Sequence, residues 1–246
     1  MSDPVQPLPL VGVLLLDTRF ARPPGDIGNA RSFGGRVLYE TVGGAGIDRV
    51  LRGDPQDPAL ADSFAAARDR LVARGARLVT TSCGLLVFHQ ERLAGDCPVP
   101  FTASSLLQIR LRQRQHGKVA IMGLLDGSIT AAHLRAAGAE AELPVGALPD
   151  DAHLIDVLRA NDPGRRIDPA RAEADLIAAA RTLLDRAPET RALVLECTNL
   201  PPYQQALSEA LDLPVYGYYD WLVAIHQGLA LPDGRLPAAS STEIPA

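Results

Sequence analysis

The feature that most constrains this chain is an internal repetition. Ala76-Arg77-Leu78-Val79-Thr80-Thr81-Ser82-Cys83 leads into a helical pattern and then to Pro98-Val99-Pro100-Phe101. Ala192-Leu193-Val194-Leu195-Glu196-Cys197 leads into another and then to Pro214-Val215-Tyr216. Each copy is a short apolar run that ends at a cysteine and turns into a helix. A duplicated unit fixes where a site must lie, because two similar halves share one cleft. Around the copies, short β-branched and Leu-rich runs alternate with longer helical patterns, the signature of βαβ units. The predicted class is α/β: two similar α/β domains with mostly parallel sheets, related by pseudo-twofold symmetry, with the site in the cleft between them. The first domain is expected over residues 1–103 plus 214–246 and the second over 104–213.

Within that frame, residues 10–16 read as a buried first strand, and residues 19–35 as a long Gly/Pro-rich loop of the kind that carries function. A strand follows over 36–42, a helix over 58–74 with Gly75 as its stop, and a strand over 77–81. A helix-like stretch comes after Cys83, then a strand near 99–102 and a helix over 106–115. The order then restarts, with strands over 118–122, 191–196 and 213–216 and helices over 129–137, 170–186, 202–211 and 221–229. The tail 237–246, rich in Ser, Pro and Ala, is expected to be poorly ordered.

Charge and composition narrow the chemistry. A net charge of −5 argues against a nucleic-acid partner. The longest apolar run, residues 11–16, is far short of the ~18 residues of a membrane span and follows no basic segment, so no membrane partner and a cytoplasmic location are expected. Lys118 is the chain's one lysine and opens a strand, whereas α/β sites gather at the strands' carboxyl ends, so a pyridoxal Schiff base is excluded and no cofactor is expected. Three cysteines, Cys83, Cys97 and Cys197, read as free thiols. No Cys-x-x-Cys or His-x-x-x-His pair supports a metal site.

A residue just past the carboxyl end of a parallel strand lies in the crevice where α/β proteins bind ligands. Cys83 and Cys197 both occupy that place, each where a helix begins and unsatisfied N–H groups favour thiolate or hold a substrate carboxylate. Two thiols on opposite sides of a bound molecule suit inversion of a carbon centre: one removes the Cα proton and the other returns one, without a cofactor. Cys97 precedes a strand, has no counterpart in the second copy, and is read as structural.

On these residues the chain resembles the cofactor-independent aspartate/glutamate racemase superfamily, which includes hydantoin racemases, maleate isomerases and arylmalonate decarboxylases. The resemblance runs from about residue 10 to 229. It is carried by Glu196-Cys197-Thr198-Asn199-Leu200-Pro201, by Thr81-Ser82-Cys83-Gly84, and by Asp17-Thr18 at the end of the first strand. It implies catalytic roles for Cys83, Cys197 and Asp17, a small carboxylate-bearing substrate, and a homodimer, on which the residues themselves say nothing. The departures are Gly84-Leu85-Leu86 where glutamate racemases have Asn-Thr, Asn199 where amino-acid racemases often have His or Glu, and Arg19 and Phe20 where glycines follow Asp-Ser. The first of these makes its side of the pocket more apolar. Thr18, Arg19, Thr81, Ser82, Gly84, Thr198 and Asn199 are the expected substrate contacts. Arg19 and Arg22 would clamp a second carboxylate, unless they are solvated or pair with Asp26.

The expected activity is racemisation or epimerisation of an acidic amino acid, with hydantoin racemase and maleate-type isomerase chemistry as alternatives. A hydrolase using Cys83 as nucleophile gives Cys197 no role. A non-catalytic small-molecule binding protein would tolerate serine at both positions.

Overall fold

The computed structural model describes residues 8–52, 57–139 and 142–237. The expectation for the tail therefore lies, but for residue 237, outside the described residues. The first half runs β1 (Val11–Leu16), β2 (Val37–Val42), α1 (Ile47–Arg52), α2 (Pro58–Ala73), β3 (Leu78–Thr81), α3 (Gln90–Ala94) and β4 (Phe101–Thr102). The second runs α4 (Ile109–His116), β5 (Val119–Leu125), α5 (Ala131–Ala136), β6 (Val145–Leu148), α6 (His153–Ala160), α7 (Pro169–Arg186), β7 (Ala192–Leu195), α8 (Gln204–Leu211), β8 (Val215–Tyr216) and α9 (Tyr218–His226).

Two all-parallel four-stranded sheets result, in the orders β2-β1-β3-β4 and β6-β5-β7-β8. The orders are equivalent strand for strand, and the repetition extends to single hydrogen bonds. Arg77 N–H donates to Leu10 O and Arg191 N–H to Lys118 O; Val79 N–H donates to Pro100 O and Leu193 N–H to Pro214 O. The equivalent prolines are thus Pro100 and Pro214, each 17 residues past its cysteine.

The helices before β3 and β7 start alike. Asp57 and Asp168 each accept from two backbone N–H groups of the first turn, and Pro58 and Pro169 occupy positions whose N–H would go unused. Leu60, Phe64, Ala67 and Leu71 of α2 pack on the first sheet, and Ala172, Leu176, Ala180 and Leu183 of α7 on the second. Gly75, at φ +96°, ends the α2 unit in a left-handed turn closed to most residues.

Three elements have no counterpart in the sequence reading: α1, β6 and α6. The segment after the first cysteine is a 3-10 turn, Gly84–His89, followed by the short α3. Val215–Tyr216 completes the second sheet, two to three residues past the expected boundary at 213. The return to the first half is made by α9, whose Tyr218 and Leu222 pack with Val11, Val13 and Leu78, while Trp221 Nε1–H donates to Thr102 Oγ1 at 2.7 Å.

Candidate active site

Each cysteine stands two residues beyond its strand, Cys83 after β3 and Cys197 after β7. The residue between is held the same way in both halves: Ser82 N–H donates to Leu14 O, and Glu196 N–H to Met122 O, both at 2.9 Å. The halves are bolted together at this level. Thr198 Oγ1 donates to Ser82 O at 2.8 Å, and Ser105 Oγ, on the crossover from β4 to α4, donates to Glu196 O at 2.7 Å. Between them lies a cavity of about 90 Å³ that both thiols line.

Its walls are mostly apolar. Leu16 and Phe20 come from the end of β1 and the loop beyond, Leu85 from the turn after Cys83, Leu124 and Leu125 from β5, and Ile155 and Leu158 from α6. Desolvation by these walls pushes the Cys83 thiol up to about 12 and the Cys197 thiol well above its ordinary value, and the neighbouring Glu196 carboxyl raises both further. Against that, the N–H groups of Leu85 and Leu86 favour the Cys83 thiolate, and that of Asn199 favours the Cys197 thiolate. Burial also raises the Glu196 carboxyl to about 8. At neutral pH both thiols and Glu196 are therefore protonated.

A polar chain leads away from Cys197. Its S–H donates to Asn199 Oδ1 at 3.4 Å, and Asn199 Nδ2–H donates to Asp26 Oδ2 at 2.6 Å. Asp26 Oδ1 is paired with Arg22 Nη1 at 2.9 Å, and Arg22 Nη2–H donates to Thr18 Oγ1 at 2.9 Å. A carboxylate only accepts, so Asp26 fixes the amide of Asn199 with its oxygen toward the thiol.

Of the residues singled out from sequence, Cys83, Cys197, Thr18, Ser82, Gly84 and Asn199 line the cavity. Thr81 and Thr198 lie just behind it: Thr81 Oγ1 donates to Ala103 O and accepts from Cys83 N–H, fixing the turn on which the thiol sits. Asp17 and Arg19 do not line the cavity; Asp17 is exposed and accepts from Gly44 N–H at 3.4 Å, and Arg19 N–H donates to Asn161 Oδ1. Arg22 lines it but is bonded to Asp26, so the clamp by two arginines is not assembled. Cys97 packs at the edge of the first core. Sequence reasoning placed Glu196 only within a motif and did not name the walls from β5 and α6. A contrast inside the repeat, glutamate opposite Ser82, was the available signal. Among the described residues no group of His, Cys, Asp and Glu is arranged to hold a metal ion, and no helix is long and apolar enough to cross a membrane.

No family model matches the chain. Over 220 residues it is 26% identical to dimethylsulfoniopropionate lyase 5 of Emiliania huxleyi, a match covering 84% of this chain and 43% of that protein. Over 217 residues it is 26% identical to the dimethylsulfoniopropionate lyase of Durusdinium sp. clade D, covering 84% and 70%. The chain thus spans less than half the length of the first relative. Among solved structures it superposes on unliganded arylmalonate decarboxylase with a TM-score of 0.55 at 16% identity, over 87% of this chain and 92% of that one. For allantoin racemase from Pseudomonas fluorescens the TM-score is 0.54 at 14% identity, over 89% and 90%. For glutamate racemase from Aquifex pyrophilus it is 0.52 at 16%, over 88% and 82%. Two equivalent parallel sheets around a two-cysteine cleft, superposing on these proteins over most of its length, give the chain the fold of the aspartate/glutamate racemase superfamily.

Proposed function

We propose that the chain is a lyase that removes a Cα proton beside a carboxylate and expels a dialkyl sulfide from the β carbon, with dimethylsulfoniopropionate as the substrate. The observation that carries this reading is a thiol at a strand end on a largely apolar cavity whose two lining arginines, Arg22 and Arg159, are both already paired with aspartates. Cys83 or Cys197 first loses its proton to solvent, a loss favoured by the N–H groups of Leu85 and Leu86 at the first thiol or of Asn199 at the second and by the cation of the bound substrate, and the thiolate then takes the Cα proton. The C–H electron pair becomes the new C=C bond, and the Cβ–S pair leaves on sulfur, giving acrylate, dimethyl sulfide and a thiol that returns its proton to solvent. No cofactor enters. Thr18, Arg22 and Asn199 are the polar lining groups that would hold the carboxylate. Methyl groups on the leaving sulfur match the walls of Phe20, Leu85, Leu124, Ile155 and Leu158, and the relatives described above are named as lyases of this compound.

A second reading, racemisation of a small carboxylate such as aspartate or glutamate, is favoured by one feature: there are two thiols, one on each half, and elimination needs only one base. Against an acidic amino acid, which brings a second carboxylate, stands the lining, where Arg22 already shares its charge with Asp26 and the other lining arginine, Arg159, is paired with Asp150.

The test incubates the protein with dimethylsulfoniopropionate, reads the headspace for dimethyl sulfide and the solution for acrylate, and runs aspartate, glutamate and hydantoins in deuterium oxide in parallel. Equimolar dimethyl sulfide and acrylate are expected. Cα deuteration with loss of chirality and no sulfide would replace this reading by racemisation, and covalent labelling of one cysteine by an acyl substrate would replace it by hydrolysis.

A further inference from the structure

Glu196 is 3% exposed and lines the cavity, yet among the described residues its carboxyl has no hydrogen-bond donor and no cationic partner. Its neighbours leave the group room. A Cβ on Gly84 would lie 2.5 Å from both Glu196 O and Glu196 Oε1, and a Cβ on Gly123 would lie 3.7 Å from Oε2. The carboxyl is therefore seated between two glycines, one from each half, beside Cys83 and Cys197. A buried acid without a partner costs free energy and is kept where a ligand supplies what is missing.

The geometry points to Glu196 as the subsite for a permethylated onium cation, the group that distinguishes the substrate from other small carboxylates. The inference deepens the elimination reading and rests on it for the identity of the onium as a sulfonium. The missing partner is positive because the carboxyl, once ionised, has no guanidinium within reach among the described residues to balance its charge. It is permethylated because a primary ammonium carries three N–H donors, whereas Phe20, Leu85, Leu124, Leu125, Ile155 and Leu158 are apolar and nearby lining oxygens are already engaged, Thr18 Oγ1 by Arg22, Ser82 Oγ by Leu16 N–H and Asn199 Oδ1 by the Cys197 S–H. A methylated cation needs only charge compensation and apolar contact. Burial keeps the Glu196 carboxyl protonated up to about pH 8 before a ligand enters, so arrival of a fixed cation ionises it and expels a proton. The titratable groups that face it are Cys83 and Cys197, with the Arg22–Asp26 pair beyond Asn199.

The probe pair is β-trimethylammoniopropionate, which has a poor leaving group, and its neutral tert-butyl isostere, titrated calorimetrically into wild type and Glu196→Gln near neutral pH in two buffers of different ionisation enthalpy. Wild type is expected to prefer the cation by at least about tenfold and to release a proton on binding it. Glu196→Gln is expected to lose both the preference and the proton release, although glutamine keeps the size and a hydrogen-bond donor. Equal affinity for the two probes, no binding of either, or a preference that survives in Glu196→Gln overturns the inference. Should that variant not fold, Glu196→Asp, which keeps the charge, must retain the preference beside the wild-type comparison. Onium preference without release of dimethyl sulfide would sink the elimination reading alone; release without preference would sink this inference alone.

Discussion

Glycine at position 84 is where a missing side chain does the most. The Cβ of an alanine there would occupy space held by the backbone and the carboxyl of Glu196, so Gly84→Ala has to push the second half away from the first. The expected cost is about 1–3 kcal/mol of stability, read by urea denaturation, together with loss of turnover. A Glu196 carboxyl raised from 4.5 to about 8 in the folded state also carries a stability signature. Between these values the folded chain holds a proton that the unfolded chain has lost. Stability is therefore fully present below about pH 4.5 and declines as pH rises toward 8, by about 1.4 kcal/mol for each pH unit crossed. Denaturation midpoints for wild type and Glu196→Gln between acidic and mildly alkaline pH are expected to show the decline in the first and its reduction in the second, with the thiols, which are raised too, adding their own decline at higher pH.

Residue positions were legible in the sequence where they rested on rarity and repetition, as for Cys83 and Cys197. They were not where they rested on direction. Leu16, Thr18 and Phe20 line the cavity while Asp17 and Arg19 between them do not, the two-residue alternation of an extended chain continued past the end of β1. Proximity to that end could not separate the inward set from the outward one. Glu196 was hidden for another reason: its contrast with Ser82 in the repeat marks the position, but the absence of a partner, which makes the group a candidate, shows only in the packed halves.

At the scale of elements, the cleft is a consequence of register. Because β1 with β3 and β5 with β7 pair in equivalent order, Ser82 and Glu196 bond to Leu14 and Met122 in the same manner, and the two thiols arrive at one level. Long helices with Asp-Pro starts and apolar faces were readable, as α2 and α7 show. The strand β6 and the helix α6 were not: Val145-Gly146-Ala147-Leu148 is short and half small, and α6 spans two turns amid Gly, Pro and Asp. The duplication itself demanded the strand, since β2 requires a counterpart in the second sheet. The omission mattered for function, because α6 supplies Ile155 and Leu158 to the cavity wall.

For the whole molecule, the two sheets are joined by α9, by the Thr198–Ser82 and Ser105–Glu196 bonds, and by apolar clusters drawn from both halves, such as Leu85, Ile121, Val194 and Trp221. The halves are expected to unfold together. Trp221 is the chain's one tryptophan and is buried where α9 meets β4, so its fluorescence should change at the same urea concentration as far-ultraviolet circular dichroism; two separated transitions would show independent halves. Trp221→Phe, which strands the Thr102 hydroxyl, should cost about 1–3 kcal/mol. The repeat made two sheets legible, but β8, which closes the second, was expected on the first domain's side at 214–246, because the chain crosses back at the turn after β8 and no composition change marks it.

In the function proposed for the molecule, a cleft thiol takes the Cα proton of a sulfoniopropionate. Its most direct test is proton NMR of dimethylsulfoniopropionate incubated with wild type, Cys83→Ser and Cys197→Ser, following acrylate and dimethyl sulfide together. Turnover is expected from wild type, with a loss of at least about 100-fold in at least one serine variant whose fold is intact by circular dichroism. Undiminished turnover in both variants, or no acrylate from the wild type, would contradict that role.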